Sequence, residues 1–301
     1  MRRANTAIYL IGIGLFLAVT LAWYAAAFRA GRNQATDFDG ARALADVQTQ
    51  VSFGPRIPGT DGHARIQSWM QGELESAGWI VEVQTTTEAG HKVENLVARR
   101  DARPPEIILG AHYDTRIFAD RDPNTTLRTQ PVPGANDGAS GVAVLVELAR
   151  TLPRETAPVW LVFFDAEDNG RIADWDWILG SRAFVRQNPV TPRAVVVVDM
   201  VGDSDLKIYM EQNSDAALRA QIWEAASRAG YGRVFIPTPG PSLLDDHAPF
   251  VEAGLAAVDI IDFDYPYWHT TQDTPDKVSA DSLRAVGATL NAWIAAQSPS
   301  P

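Results

Sequence analysis

Histidine and carboxylate residues stand at the ends of apolar segments along this chain. Five such endings follow one another, namely His112-Tyr113-Asp114, the loop 133–141 with Asp137, the run 165–168, Asp199, and Trp268-His269. The chain contains no cysteine, so any metal must be held by imidazole and carboxylate groups. These groups are suitable zinc ligands. If the endings meet in the fold, the sequence predicts a zinc site made of His and carboxylates.

Each of these residues also has an ordinary structural interpretation. Asp137 precedes a predicted helix and could cap it, although Ser140 can do so instead. The run 165–168 could be a solvated turn, but acids at a buried strand end repel one another unless a cation or shared proton offsets them. His112 alone is typical of a hydrogen-bonded core histidine. Asp114, two residues later, can hold its second ring nitrogen, which favours the ligand interpretation.

The elements that must position these residues alternate between strands and helices. Apolar periodicity predicts strands at 80–85, 95–99, 106–111, 159–164, 194–199 and 256–261, and helices at 39–51, 63–77, 140–152, 216–229 and 279–296. The first two strands are expected to pair antiparallel. This alternation predicts an α/β fold whose mixed sheet carries helices on both faces. Ligands of such sheets bind beyond the carboxyl ends of the strands, which is where the polar endings lie.

Composition narrows the class of protein. Hydrophobic residues make up 46% and charged residues 21% of the 301-residue chain, which is typical of a globular enzyme and excludes a disordered one. The net charge of −11 argues against a nucleic-acid partner, since phosphate binding requires a basic face. We expect one catalytic domain at 41–301 after a linker at 31–40.

The first thirty residues have the composition of a membrane-targeting segment. Residues 7–28 are apolar and uncharged, and about 20 such residues span a bilayer. A cleaved signal peptide usually has a shorter apolar region of about 7–15 residues, so an uncleaved anchor is favoured, with cleavage near Ala25-Ala26-Ala27 as the alternative. The catalytic part is then expected outside the cytoplasm, anchored to the cytoplasmic membrane or secreted.

Four motifs occur in a fixed order: His112-Tyr113-Asp114, the stretch GANDGASG at 134–141, FFDAED at 163–168, and Val198-Asp199. As a set they resemble the zinc-peptidase family that contains zinc aminopeptidases and glutaminyl-peptide cyclotransferases, over roughly 51–294. The resemblance implies a three-layer α/β sandwich, a zinc ion held by Asp137, Asp168 and His269, and Glu167 as general acid/base. The family usually has a Glu-Glu pair where this chain has Glu167-Asp168, so one ligand is shorter by a methylene.

Three features resemble the cyclotransferase branch of that family. They are Trp268-His269-Thr270, with the indole as pocket wall, the run Asp245-Asp246-His247-Ala248-Pro249-Phe250, with Asp245 as a hydrogen-bonding acid, and the segment 171–182. Asp259 departs from the branch, since many cyclases have His there. The resemblance implies a glutaminyl-peptide cyclotransferase that converts an N-terminal Gln to pyroglutamate and releases ammonia. Asp199 and Asp245 would then orient the substrate nitrogens.

An aminopeptidase is the alternative. In it His112 and Asp199 would hold a second zinc ion, Asp137 would bridge both ions, and Glu167 would activate a water. Residue types allow either enzyme, so they do not decide between one zinc ion and two. Both enzymes act on peptides or proteins with a free N-terminus. A catalytically silent module is disfavoured, since it predicts loss of the acid/base or a ligand.

Overall fold

Residues 38–154 and 156–297 are described by a computed structural model. The predicted membrane segment at 1–30 and most of the predicted linker lie outside these residues. Within the described ranges, no helix is both long and apolar enough to cross a membrane. Membrane targeting therefore stays a prediction from the sequence.

Six strands form one mixed sheet. They are β1 (Ile80–Glu88), β2 (His91–Arg99), β3 (Ile107–His112), β4 (Val159–Phe164), β5 (Ala194–Asp199) and β8 (Ala257–Ile261), in the spatial order β1-β2-β4-β3-β5-β8. β2 pairs antiparallel with both β1 and β4. The strands β4, β3, β5 and β8 run parallel to one another. The four parallel strands therefore direct their carboxyl ends to the same edge. A separate parallel pair, β6 (Ile208–Met210) and β7 (Phe235–Pro239), was not predicted.

The β1–β2 hairpin is longer than the sequence predicted. Its register runs without interruption from the pair Ile80–Arg99 to the pair Glu88–His91. The two turn residues, Ala89 and Gly90, both have positive φ, at 48° and 87°. Positive φ at both central residues gives a turn whose twist matches the strands, so pairing continues up to the turn itself.

Helices cover both faces of the sheet. They are α1 (Gly40–Ser52), α2 (Asp61–Ser76), α3 (Ala139–Thr151), α4 (Leu179–Gln187), α5 (Ala216–Arg228), α6 (Ala248–Glu252) and α7 (Ala280–Gln297). Ile107 and Leu109 of β3 belong to the apolar core beneath α1, α2, α3, α5 and α7. Ile108 belongs to a second core with Phe184 of α4 and Phe250 of α6. This alternation places one core on each face, which confirms the predicted three-layer α/β sandwich.

Candidate metal centre and active site

The predicted polar endings meet at the carboxyl edge of the parallel strands. His112 and Asp199 are the last residues of β3 and β5, and Asp165 directly follows β4. Asp137 lies in the loop that enters α3, while the loop after β8 brings in His269. These five residues are at most 7% exposed, so the edge holds a buried polar site.

Two groups of potential metal ligands share Asp137. In the first, His112 Nε2 lies 3.1 Å from Oδ1 of Asp137 and 3.1 Å from Oδ1 of Asp199. In the second, His269 Nε2 lies 2.8 Å from Oδ1 of Asp168 and 3.7 Å from Oδ2 of Asp137. The ligand atoms of each group lie within 4.8 Å of one another. The structure thus brings together all five predicted ligands, and the two oxygens of Asp137 face different groups.

The donor set fits zinc. Oδ2 of Asp137 and Oδ2 of Asp168 are buried and have no hydrogen-bond partner among the described residues. Buried carboxylate oxygens without partners are costly unless a cation or proton satisfies them. Nitrogen and oxygen ligands at these spacings suit zinc, and the shorter Asp168 still reaches the His269 ring.

Electrostatics also favour a cation here. Burial, together with the neighbouring Asp137, raises the pKa of Asp168 to about 6. Burial raises the pKa of Asp199 to about 7. Burial alone would lower the pKa of His269, but the carboxylates of Asp168 and Asp120 outweigh it and raise the value to about 9. The carboxylates that raise the pKa of His269 thus favour a positive charge at this edge, which a divalent cation would also supply.

Asp120 and Arg116 lie behind the His269 ring, and neither was a predicted site residue. Asp120 Oδ1 lies 3.5 Å from His269 Nδ1, and Arg116 pairs with both oxygens of Asp120 at 2.8 Å. Arg116 also donates to the carbonyl of Asp168 at 2.6 Å. A carboxylate behind a metal-binding imidazole fixes the ring and its tautomer. No spacing signal could reveal this pair, because Asp120 and His269 are distant in sequence.

Asp114 fixes the acidic turn after β4. It lies 3.5 Å from His112 Nδ1, as predicted, and it also accepts from the N–H of Glu167 at 3.0 Å and of Asp168 at 3.3 Å. The four residues 165–168 are at most 8% exposed, which excludes the solvated-turn interpretation. Asp114 thereby ties the histidine of β3 to the acidic pair after β4.

Arg56 supports the loop that carries Asp137. It is fully buried and donates to the carbonyls of Tyr113, Pro133 and Gly134 at 3.3, 2.7 and 2.5 Å. Asp273 holds the same loop by accepting from the N–H of Asp137 at 3.1 Å. Helix α3 begins after Gly138 without a side-chain cap, so Asp137 does not cap it. Arg56 was not among the predicted site residues.

A cavity of about 310 Å³ opens beside the two ligand groups. Its lining includes Glu167, Asp199, Asp245 and Trp268, the four residues predicted to act on the substrate. The Trp268 indole stacks on the ring of His269 with centroids 3.8 Å apart. Burial and the neighbouring carboxylates raise the pKa of Glu167 well above its ordinary value. The cavity thus combines an apolar wall with carboxyl groups next to the candidate metal ligands.

The sequence model of the family described as peptidase family M28 matches residues 95–294 of this chain. The chain belongs to peptidase family M28. Its fold also resembles solved structures of two kinds. A glutaminyl cyclase of Porphyromonas gingivalis is 33% identical, with a TM-score of 0.81 over 87% of this chain and 100% of that one. A Zn-dependent exopeptidase of Parabacteroides distasonis is 30% identical, with a TM-score of 0.79 over 85% of this chain and 97% of that one.

A curated relative lies in the cyclotransferase branch. The glutaminyl-peptide cyclotransferase-like protein of Bos taurus is 24% identical over 80% of this chain and 71% of its own length. Glutaminyl cyclases and a zinc-dependent exopeptidase are thus both among the similar proteins. The M28 enzyme described here is of the glutaminyl cyclase-like or aminopeptidase-like type.

Proposed function

We propose that the chain is a zinc-dependent glutaminyl-peptide cyclotransferase that acts on peptides and proteins with an N-terminal Gln. The observation that carries this proposal is the Trp268 indole, which stacks on the ring of His269 and walls the cavity. A flat carboxamide can lie against this indole next to the candidate metal ligands. The likeness to solved bacterial glutaminyl cyclases supports the same activity.

In cyclisation the α-amine of the substrate attacks its own γ-carboxamide carbon and expels ammonia. A zinc ion held by Asp137, Asp168 and His269 would supply Lewis-acid polarisation of the carboxamide oxygen. Glu167 borders the cavity next to Asp168, where it can take a proton from the amine and pass it to the leaving nitrogen. Asp199 and Asp245 line the same cavity and would orient the two nitrogens.

An aminopeptidase is the second candidate, and the geometry of Asp137 favours it specifically. Because its two oxygens face different ligand groups, Asp137 can bridge two zinc ions, the second held by His112 and Asp199. Glu167 would then activate a water for attack on the first peptide bond. One zinc ion suffices for the cyclase, whereas this alternative uses two.

The two candidates release different products. We would incubate the full chain, loaded with zinc, with two peptides that differ only in an N-terminal Gln or Leu. We expect ammonia and a pyroglutamyl peptide from the first and no reaction with the second. Release of free Gln or Leu would instead establish the aminopeptidase and overturn the proposal. Enzyme freed of zinc by a chelator is the control.

The cellular location of the enzyme is a further part of this proposal. The apolar stretch 7–28 would target the enzyme to the cytoplasmic membrane, as an anchor or a cleaved signal, with the catalytic domain on the outer side. Its substrates would then be exported or extracellular peptides. Fractionation of cells that express the full chain, followed by protease treatment of intact cells, tests this placement.

A further inference from the structure

A third group of buried charged side chains lies outside the ligand groups that share Asp137. Its members, all at most 5% exposed, are Glu211, Asp245, Asp246, His247 and Asp259. The group contains four carboxyl groups and a single imidazole. Such a group is unstable when fully ionised unless protons or a cation compensate the charge.

Glu211 follows β6 and faces one side of the His247 ring. It accepts from the N–H of Asn213, Ser214 and Leu243 at 2.9, 2.7 and 2.9 Å, and its Oε2 lies 3.3 Å from His247 Nε2. Nε2 of His247 is buried and has no hydrogen-bond partner among the described residues, although Glu211 faces it.

The other side of the ring faces carboxylates. Nδ1 of His247 lies 3.8 Å from Oδ2 of Asp259. Nδ1 and both side-chain oxygens of Asp259 are buried, and among the described residues none of them has a hydrogen-bond partner. Asp259 cannot turn away freely, because it is in the middle of β8 and its N–H is held by Ser214 Oγ at 3.0 Å. Buried ring nitrogens and carboxylate oxygens without partners are costly unless a cation or protons satisfy them.

We propose that His247, Asp259 and Asp245 bind a divalent cation of the zinc type, separate from the ligand groups that share Asp137. One nitrogen of His247 and one oxygen of each aspartate lie within 4.8 Å of one another, which suits a cation between them. Two carboxylates balance its charge. Glu211 is the outer carboxylate that holds the imidazole, as is common for histidine ligands. Asp245 also lines the cavity, so this ion would hold a wall residue in place.

Zinc content of the purified full chain tests the proposal without an activity assay. We would saturate the protein with zinc and remove free ions by gel filtration. Inductively coupled plasma mass spectrometry then gives the amount of bound zinc per chain. We expect Asp259→Asn and His247→Gln each to bind one equivalent less than the unmodified protein. Asp264→Asn makes the same chemical change at an exposed position and should keep the full content.

Zinc content measured in variants that also carry His269→Ala distinguishes the proposed site from the candidate catalytic site. His269→Ala removes a ligand from the other group, so zinc still bound by that variant comes in part from the proposed site. We expect Asp259→Asn, added to His269→Ala, to remove one further equivalent. In the presence of a chelator, the melting temperature of Asp259→Asn should equal or exceed that of the unmodified protein. The reason is that the substitution removes a buried charge that no cation then compensates.

The competing explanation is a proton shared between Asp259 and His247. It predicts equal zinc content for the unmodified protein and Asp259→Asn in both backgrounds, and this result would overturn the proposal. Circular dichroism checks that each variant is folded. If His247→Gln does not fold, the Asp259→Asn comparison decides alone, because that change conserves side-chain shape.

Discussion

Replacement of Arg56 by Met tests whether the loop of Asp137 depends on this one buried side chain. The change keeps much of the apolar stem but removes the hydrogen bonds to the carbonyls of Tyr113, Pro133 and Gly134. Hydrogen bonds from a charged group contribute about 1.5–3 kcal/mol each, or roughly 4.5–9 kcal/mol for three. Burial of the guanidinium offsets part of this.

The size of that offset follows from the pKa of Arg56. Burial lowers it from 12.5 to about 10, against the attraction of Asp273, Asp137 and other carboxylates. This change corresponds to roughly 3 kcal/mol against the charged form. The difference predicts that Arg56→Met lowers the free energy of unfolding by roughly 2–6 kcal/mol. The stability falls because three carbonyls, two of them in buried hydrogen bonds, lose the guanidinium as a donor.

Urea unfolding of the full chain, with and without zinc, measures this effect. We also expect weaker zinc binding, because the loop that carries Asp137 loses its support. Arg65→Met is the matched control, since Arg65 is exposed on α2, and it should change the free energy of unfolding by no more than about 0.5 kcal/mol. If Arg56→Met is as stable as the control and binds zinc with unchanged affinity, Arg56 does not support the loop as argued.

Three further predictions concern the site itself. Glu167→Gln should retain zinc while the rate of cyclisation falls by roughly 10²–10⁴, and loss of zinc instead would mean that Glu167 is a ligand. His269→Ala should lose zinc from its ligand group together with activity, and chelation should abolish turnover; full activity of metal-free protein would contradict the mechanism. Trp268→Ala should lower kcat/KM for Gln-initiated peptides by an amount equivalent to about 1–3 kcal/mol of transition-state stabilisation, with unchanged zinc content. Undiminished cyclisation would contradict the role of the indole as a wall of the pocket.

Local patterns in the sequence were enough to locate the strands and most of the helices. Periodicity identified all six strands of the main sheet and five of the seven described helices, usually within a residue or two at the ends. It missed α4, α6 and the β6–β7 pair, which are short. Short elements contain too few residues for a period to be distinct, and packing rather than propensity stabilises them.

The candidate ligands were also accessible from the sequence. Four of the five stand in the motifs of fixed order, and His269 stands in the Trp268-His269-Thr270 feature of the loop after the last predicted strand. Parallel strands bring such positions to one edge. The sequence therefore determined which side chains gather at the edge. It did not determine the number of zinc ions, because the same ligand types serve one ion or two.

Only the tertiary structure revealed the residues that hold these ligands. Arg56 contacts a carbonyl 78 positions away, and His63, which had no assigned role, contacts Asp165 across 102 positions at 2.8 Å. Asp120 and His269 face each other in the same way. The periodicity of apolar residues indicates which face of a strand or helix is buried, and this periodicity is a property of residues close together in the sequence. Which polar groups meet across the core depends on how the loops pack, and the local pattern of residues does not contain that information.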